Sequence, residues 1–360
     1  MNKPKISILA PSFNHQKFIS KFIESVLAQK FSDFECIIVD DCSSDGNVEE
    51  IQKYKDSRIK LITHSYNSGI NAALNTAFEN AKGEFIVFCA GDDMFKSNAL
   101  EVIYQNFLDN PKILAIYSQM TRVDCDDKEI EELESFSLGK SRAEILHRIF
   151  MFNNCMFSPG MAMRRADFAR ILYPLDNAMC NHQDTQMHIK ILLQGEILIL
   201  KDSLVWYRFD ANASNISFRN ATTRTREKLE IASLMDTFLE LEDMGLLESI
   251  FAKEIVQMGL QPNVTAIPYF LGKMAILSDD RARRDWGYHQ IMKSYNTKEK
   301  AQNLFEAYGF TFKEYLSIAQ SCAVEDKMTK KYKKYKRAFN ATLAVSVCLS
   351  FFIIVLLIRR

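Results

Sequence analysis

The sequence predicts an α/β protein: an open, mostly parallel sheet flanked by helices, then a helical region and a hydrophobic C-terminal helix. Three observations predict it. Strand-like runs and helical periodicities alternate four times within roughly the first 115 residues. The strand-like runs are short, continuous and apolar, which is the composition of strands covered on both faces. Polar residues gather just past the ends of those runs, where ligands bind in such sheets.

The elements follow in order. Residues 5–10 (KISILA) read as a strand ending at Pro11, and Phe18, Phe22, Ile23, Val26 and Leu27 then recur at helical spacing. Residues 35–39 (ECIIV) are a second strand, ending at Asp40-Asp41, and Asp45 is placed to cap a helix over 47–55. Residues 58–63 are a third strand and 71–81 a helix. Residues 84–89 (EFIVFC) are a fourth strand, ending at Asp92-Asp93. A helix over 97–109 leads to a fifth strand that starts over 114–117. His182-Gln183-Asp184-Thr185 opens another helix, which carries Ile189, Ile191, Leu192 and Leu193. From 222 to 335 the pattern is helical, with Leu229, Ile231, Leu234, Met235, Phe238 and Leu241 on one stretch and Leu246, Leu247, Ile250, Phe251 and Ile255 on the next. Pro262 and Pro268 interrupt it, and no catalytic constellation is visible there. The expected divisions are a catalytic domain over 1–220, a helical accessory region over 221–326, a basic segment over 327–338 and a membrane helix over 339–358.

The chain has 45 basic and 45 acidic residues, and the balance is uneven along it. Residues 327–360 carry nine Lys or Arg and no Asp or Glu, which leaves 36 basic against 45 acidic residues in 1–326. An acidic body lacks the positive footprint that nucleic acid requires, so no nucleic-acid partner is expected. Residues 341–358 (ATLAVSVCLSFFIIVLLI) are uncharged and predominantly apolar. At helical rise they reach about 27 Å, near the thickness of a hydrocarbon core. The alternatives are a buried core helix or a re-entrant segment. The adjacent Lys/Arg run implies the cytoplasmic side by the positive-inside rule, and it would also attract anionic membrane lipids. No secretory signal precedes the first strand. The expected location is therefore the inner membrane, single-pass by the C-terminal helix, with the catalytic domain in the cytoplasm. Eight Cys include no C-x-x-C pair, so zinc and thioredoxin-type spacings are absent.

Four segments carry possible chemistry. They are Pro11-Ser12-Phe13-Asn14, Asp40-Asp41-Cys42-Ser43-Ser44-Asp45, Asn67-Ser68-Gly69-Ile70-Asn71 and Ala90-Gly91-Asp92-Asp93. Taken singly, Asp and Asn after a strand also cap helices and make turns. As an ordered set, with strands between them, they resemble the family 2 glycosyltransferases. The resemblance spans roughly residues 4–217. It implies a GT-A fold and a nucleotide-diphosphate sugar as donor. No G-x-G-x-x-G follows the first strand, which weighs against a dinucleotide-binding reading.

By that resemblance, Pro11 and Asn14 line the nucleotide pocket, and Asp41 accepts a hydrogen bond from the base. Uracil is favoured there, though guanine would also fit. Asn67, Gly69 and Asn71 lie beside the ribose or diphosphate, with Gly69 allowing a close approach of backbone. Asp92 faces ribose and sugar, and Asp93 binds a divalent cation, Mg²⁺ or Mn²⁺, on the diphosphate. Ala90 departs from the common motif, which has an Asp there. Ser158–Arg165 resembles the segment on the acceptor side. Asp184 matches the catalytic base of a Glu-Asp pair, with Gln183 in place of the Glu; the alternative is a simple helix cap. His182 and His188 read as surface polar residues or as residues behind the site. Trp206–Ser214 resembles the segment that closes the active site. Asp210 stands where many members have a metal-binding His, and Arg208 pairs either with phosphate or with a neighbouring carboxylate. The absence of Q-x-x-R-W and of several membrane helices favours transfer of a single sugar.

The expected activity is thus an inverting transfer to a hydroxyl of a lipid-linked saccharide or glycolipid acceptor, in synthesis of cell-surface polysaccharide or glycoconjugate. Two alternatives stay open. A sugar nucleotidyltransferase would show a Gly-rich first loop, whereas this one reads PSFNHQKF. A membrane-tethered scaffold on an inactive transferase fold would bind nucleotide without turnover.

Overall fold

The structure is a computed structural model that describes residues 3–209, 220–322, 331–340 and 342–343. The chain opens with β1 (Ile6–Ser12), α1 (Ile19–Leu27), β2 (Phe34–Asp40), α2 (Asn47–Gln52), β3 (Ile59–Thr63), α3 (Ile70–Glu79) and β4 (Phe85–Phe88). It continues with β5 (Met94–Phe95), α4 (Ala99–Asp109), β6 (Ala115–Val123), β7 (Glu129–Leu133), α5 (Arg142–Met151), β8 (Ala162–Arg164) and α6 (Arg165–Ile171). Then come α7 (Gln183–Gln194), β9 (Ile197–Arg208), α8 (Ala221–Asp236), α9 (Met244–Ile250) and α10 (Ala252–Met258).

The strands form a single sheet in the order β3-β2-β1-β4-β8-β6-β9-β5, with β7 paired to β6. The first four run parallel, as the alternating pattern predicts. β1 and β2 are buried at every position, which suits their uninterrupted apolar runs. Ile19, Phe22, Ile23 and Val26 of α1 fall on one face and pack into the same core as Ile8, Ile38 and Val87. The second half departs from a simple parallel order. β8 is antiparallel to both β4 and β6, β9 is parallel to β6, and β5 is antiparallel to β9. Two reversals restore direction, so the carboxyl ends of β1, β2, β4, β6 and β9 and the amino end of β8 share one edge of the sheet. Capping is local and legible at α5, where Ser141 and Glu144 form a reciprocal capping box.

Two compact units divide the chain, one ending at Gly259 and the other beginning at Leu260. The expected boundary at 220 differs from this because α8 is bonded into the first unit: Glu230 Oε2 accepts from Asn181 N at 2.8 Å and from His182 N at 3.0 Å. The second unit holds α11 (Ile267–Ile276), α12 (Arg281–Tyr295), α13 (Lys298–Tyr308) and α14 (Phe312–Cys322). Their core gathers Tyr269, Ile291, Leu304, Phe310 and Ile318.

The transmembrane helix expected over 339–358 is not upheld. Among the described residues no helix is long and apolar enough to cross a membrane. Residues 331–340 are helical, but they are exposed at every position and carry Lys331, Lys333, Lys334, Lys336 and Arg337. Residues 344–360 lie outside the described residues. The expected single-pass location in the inner membrane, with the catalytic domain on the cytoplasmic side, is withdrawn with that helix.

Candidate active site

The shared edge of the sheet collects most of the residues singled out in the sequence. At the end of β1, Pro11 is buried, and its carbonyl accepts from Gly91 N at 3.0 Å, which ties β1 to the turn after β4. That turn needs glycine. A Cβ on Gly91 would lie 2.8 Å from Ile19 Cδ1 and 2.9 Å from Ser12 Oγ. Asn14 adopts a left-handed conformation (φ 55°). Its backbone N donates to Ser43 Oγ at 2.9 Å and its side-chain oxygen accepts from Ser44 N at 2.9 Å. The loops after β1 and β2 are thus clipped together. Asn47, which the sequence reading passed over, holds their bases. Its amide donates to Asp40 Oδ1 at 2.6 Å and to Ser12 Oγ at 2.9 Å, wholly buried.

Asp41 is buried at the end of β2 and organises the segment that precedes α3. Its Oδ1 accepts from Ser68 N at 2.8 Å and faces His64 Nδ1 at 2.7 Å; its Oδ2 accepts from Gly69 N at 2.7 Å. Three of about four lone-pair positions on the carboxylate are used, and one on Oδ2 stays open to a further N–H donor. Gly69 is explained by conformation, since φ is 92° and nothing crowds its Cβ position within 4 Å. Asn67 is exposed in the same turn. Asn71 is buried, and its amide donates to the carbonyl of Asp176 at 2.6 Å, while its own side-chain oxygen has no hydrogen-bond partner among the described residues. It clasps the segment that leads to α7, as does Asn75, which exchanges bonds with Leu175.

Asp92 and Asp93 follow β4. Met94 pairs with Trp206 across β5 and β9, so Asp93 comes beside Arg208. Arg208 N donates to Asp93 Oδ1 at 2.9 Å. Asp93 is only 3% exposed. Burial first, and then the Asp92 charge, push its carboxyl well above the usual carboxylate range. Asp92 Oδ2 lies 3.8 Å from His15 Nε2. Of the two roles open to Arg208, the structure forms the carboxylate pair. The side chain is 1% exposed and lies over the Phe18 ring at 4.5 Å. Its Nε donates to Asp92 O at 2.9 Å, its Nη1 to Asp124 O at 2.7 Å and its Nη2 to Asp127 Oδ1. Replacing it with Met strips donors from two carbonyls and a carboxylate. The expected cost is about 3 kcal/mol of stability, read as a lower urea midpoint at unchanged slope.

Asp210 lies outside the described residues, and among those described no three His, Cys, Asp or Glu side chains are gathered as a metal site. The donors that are present still suit a hard divalent cation. Asp93 is a buried carboxylate beside a second carboxylate, and among the described residues no cationic side chain is bonded to its oxygens. Oxygen ligands from a diphosphate would complete such a shell.

Asp184 stands in the first turn of α7, and His182, rather than Asp184, is the N-cap residue. Asp184 Oδ1 accepts from Thr185 N at 2.6 Å. Its Oδ2 accepts from Asn154 Nδ2 and Ser158 Oγ, each at 3.3 Å. Ser158 opens a turn joined to β4, in which Gly160 N donates to Phe88 O at 2.7 Å. This places Asp184 at the same edge as Asp92 and Asp93. His188, read as a surface or background residue, is wholly buried behind Asp184. Sequence reasoning did not single out Asn154, Ser158 as a partner of Asp184, or Glu230 of α8. A groove of about 380 Å³ lined by Lys3, Lys5, Lys82, Glu84 and Arg165 sits at the amino ends of β1 and β4, away from these carboxylates.

Comparison with known proteins follows this geometry. Residues 7–172 match the family described as Glycosyl transferase family 2. An uncharacterised glycosyltransferase of Nostoc is 28% identical over 62% of this chain and 70% of its own length. The UDP-Glc:alpha-D-GlcNAc-diphosphoundecaprenol beta-1,3-glucosyltransferase WfgD of Escherichia coli is 41% identical over 29% of this chain and 42% of its own length. In structure, residues 1–349 of TarS from S. aureus in complex with UDP-GlcNAc superpose with a TM-score of 0.55. They share 18% identity over 83% of this chain and 91% of that one, which establishes the fold alone.

Proposed function

We propose, from the match of residues 7–172 to glycosyltransferase family 2, that the protein transfers one sugar from a UDP-sugar to a hydroxyl of a lipid-linked saccharide or glycolipid. The product belongs to cell-surface polysaccharide or glycoconjugate synthesis. The observation that carries the reading is Asp93, a carboxylate buried beside Asp92 where the charge of a nucleotide diphosphate would gather. Asp41 retains one acceptor position for an N–H of the base. Pro11 and Asn14 shape the loop beneath it, and the turn at Asn67 and Gly69 borders the ribose. Asp92 faces the donor sugar. WfgD is named for a UDP-Glc donor and a diphosphoundecaprenol-linked acceptor, which favours the same classes here.

Asp184 takes the proton from the acceptor hydroxyl. The acceptor oxygen then bonds to the anomeric carbon from the face opposite the nucleotide, while the bond from that carbon to the diphosphate oxygen breaks. One displacement inverts the anomeric configuration. Asp93, with Asp92 beside it, would hold a divalent cation of the Mg²⁺ or Mn²⁺ class. When bound, that cation would neutralise charge on the departing diphosphate.

A thermal-shift screen of UDP, GDP and their sugar conjugates tests the donor class. UDP compounds are expected to raise Tm by about 5 °C at a hundredfold excess over Kd, and only with Mn²⁺ or Mg²⁺ present. No shift with any nucleotide would remove the basis of the proposal.

A further inference from the structure

Asp184 belongs to a closed circuit of side chains. Its Oδ2 accepts from Asn154 Nδ2 and from Ser158 Oγ. The circuit returns through His188, whose Nδ1 lies 3.2 Å from Asn154 Oδ1 and whose Nε2 lies 3.2 Å from Ser158 Oγ. Asn154 Oδ1 also accepts from Met156 N at 3.1 Å, which fixes the orientation of the amide. An amide oxygen only accepts, so the His188 proton sits on Nδ1 and Nε2 presents a lone pair. Burial holds the His188 pKa down to about 4, against the opposing pull of Asp184, so the ring is neutral near neutral pH. The single proton of Ser158 therefore has two acceptors, Asp184 Oδ2 and His188 Nε2.

The geometry points to Ser158 and His188 as positioning residues for Asp184, with the Ser158 hydroxyl turning between carboxylate and imidazole as Asp184 loses or gains its proton. The inference rests on the reading of Asp184 as the base. While Asp184 is ionised, Ser158 O–H donates to Oδ2. Once Asp184 has taken the acceptor's proton, its Oδ2–H donates to Ser158 Oγ, and the Ser158 proton turns to His188 Nε2. Ser158 and His188 each keep their own proton throughout. The base is thus hydrogen-bonded in both charge states, which lowers the cost of changing its charge in a partly buried place.

Among the described residues, one titratable group packs on this circuit and two charged ones hold the segment that leads into α7. Tyr117 from β6 meets the His188 ring edge-on at 5.3 Å, and its hydroxyl is pushed up first by burial and then by the Asp184 charge. His188 lies on α7 itself. From α8, Glu230 accepts from the backbone of Asn181 and His182, and Arg226 donates to Asn181 Oδ1 at 3.0 Å.

The test needs no substrate, so it fails or succeeds independently of the transferase assignment. Full-length protein is labelled with ¹⁵N in His and ¹³C in Asp carboxyls. His188 and Asp184 are assigned by loss of signal in His188→Leu and Asp184→Asn. His188 is expected to resonate as the neutral Nδ1–H tautomer. Ser158→Ala removes a donor to the carboxylate and should raise the Asp184 titration midpoint by about one pH unit. His188→Leu leaves the hydroxyl permanently on Asp184 and should move the midpoint the opposite way. An Nε2–H tautomer would overturn the inference, as would midpoints that stay put or move together. Should either variant fail to fold, the tautomer in the parent protein decides.

Discussion

Replacing Asp93 with Asn is expected to yield a protein that is more stable than the parent above about pH 5 yet no longer gains nucleotide affinity from Mn²⁺ or Mg²⁺. The stability half follows from linkage. Burial and Asp92 raise the Asp93 pKa in the fold above its unfolded value. The folded state then holds a proton that the unfolded state has lost, so Asp93 weakens the fold increasingly as pH rises from about 4 through its folded pKa. Asn keeps an oxygen to accept from Arg208 N and carries no charge, so it escapes this penalty. The functional half follows from the same burial. Under the proposed function, a charged Asp93 would become comfortable only with a cation in the pocket, and a nucleotide diphosphate would supply the remaining oxygens. Loss of that arrangement should cut transfer by at least about a hundredfold, since such a cation is worth several kcal/mol to the departing charge. Melting curves from pH 5 to 8, with EDTA or with Mn²⁺ and UDP, read both halves. Parallel pH trends in parent and variant, together with an equal response to Mn²⁺, would end the assignment of Asp93 to a cation.

The coexistence of both effects at one residue explains what was legible in the sequence and what was not. Paired Asp residues after an apolar strand announce themselves, because buried-strand composition ends abruptly in charge. β1 to β4 were legible for the same reason, with boundaries close to those observed. β5 and β8 were not, since two- and three-residue strands have no period to detect. β9 was hidden by Lys201 and Asp202, which interrupt its apolar run where its register with β6 shifts. The Ser141-x-x-Glu144 capping box was readable from spacing but was passed over. Asn71 illustrates a deeper limit. Its place on a helix opening was visible, but its clasp on residues 176–179 joins positions more than a hundred residues apart. Arg208 had two equivalent partners on paper, and only the fold brings Asp127 to it. The ring of Asn154, Ser158 and His188 around Asp184 is of the same kind: tertiary in origin, with no local sequence signature. The membrane helix failed differently: an apolar run and its basic flank were both legible, but among the described residues no helix is long and apolar enough to cross a membrane.

Asp184→Asn should separate binding from chemistry where Asp93→Asn removes both. The substituted side chain keeps an oxygen for Thr185 N, and its amide is nearly isosteric, so the turn that opens α7 should persist. What it loses is the ability to take a proton. General-base catalysis typically contributes about 10² to 10⁴ in rate, so kcat for transfer from a UDP-sugar to a polyprenyl-diphosphate-linked sugar should fall by about that factor. The UDP thermal shift in Mn²⁺ should match the parent's, because no contact assigned to the nucleotide passes through Asp184. A new mismatch accompanies the change, since an amide N–H facing Asn154 Nδ2 sets donor against donor. That strain should appear as a loss of about 1 kcal/mol in stability, too small to account for the rate. Asp184→Ala discriminates further, for it removes the mismatch and the base together. If the rate loss comes from the missing base, Ala and Asn fall alike. If it comes from disturbed packing, they diverge. Transfer within threefold of the parent in either variant, with UDP binding intact, would reassign the base to another group and leave Asp184 as a helix-start residue.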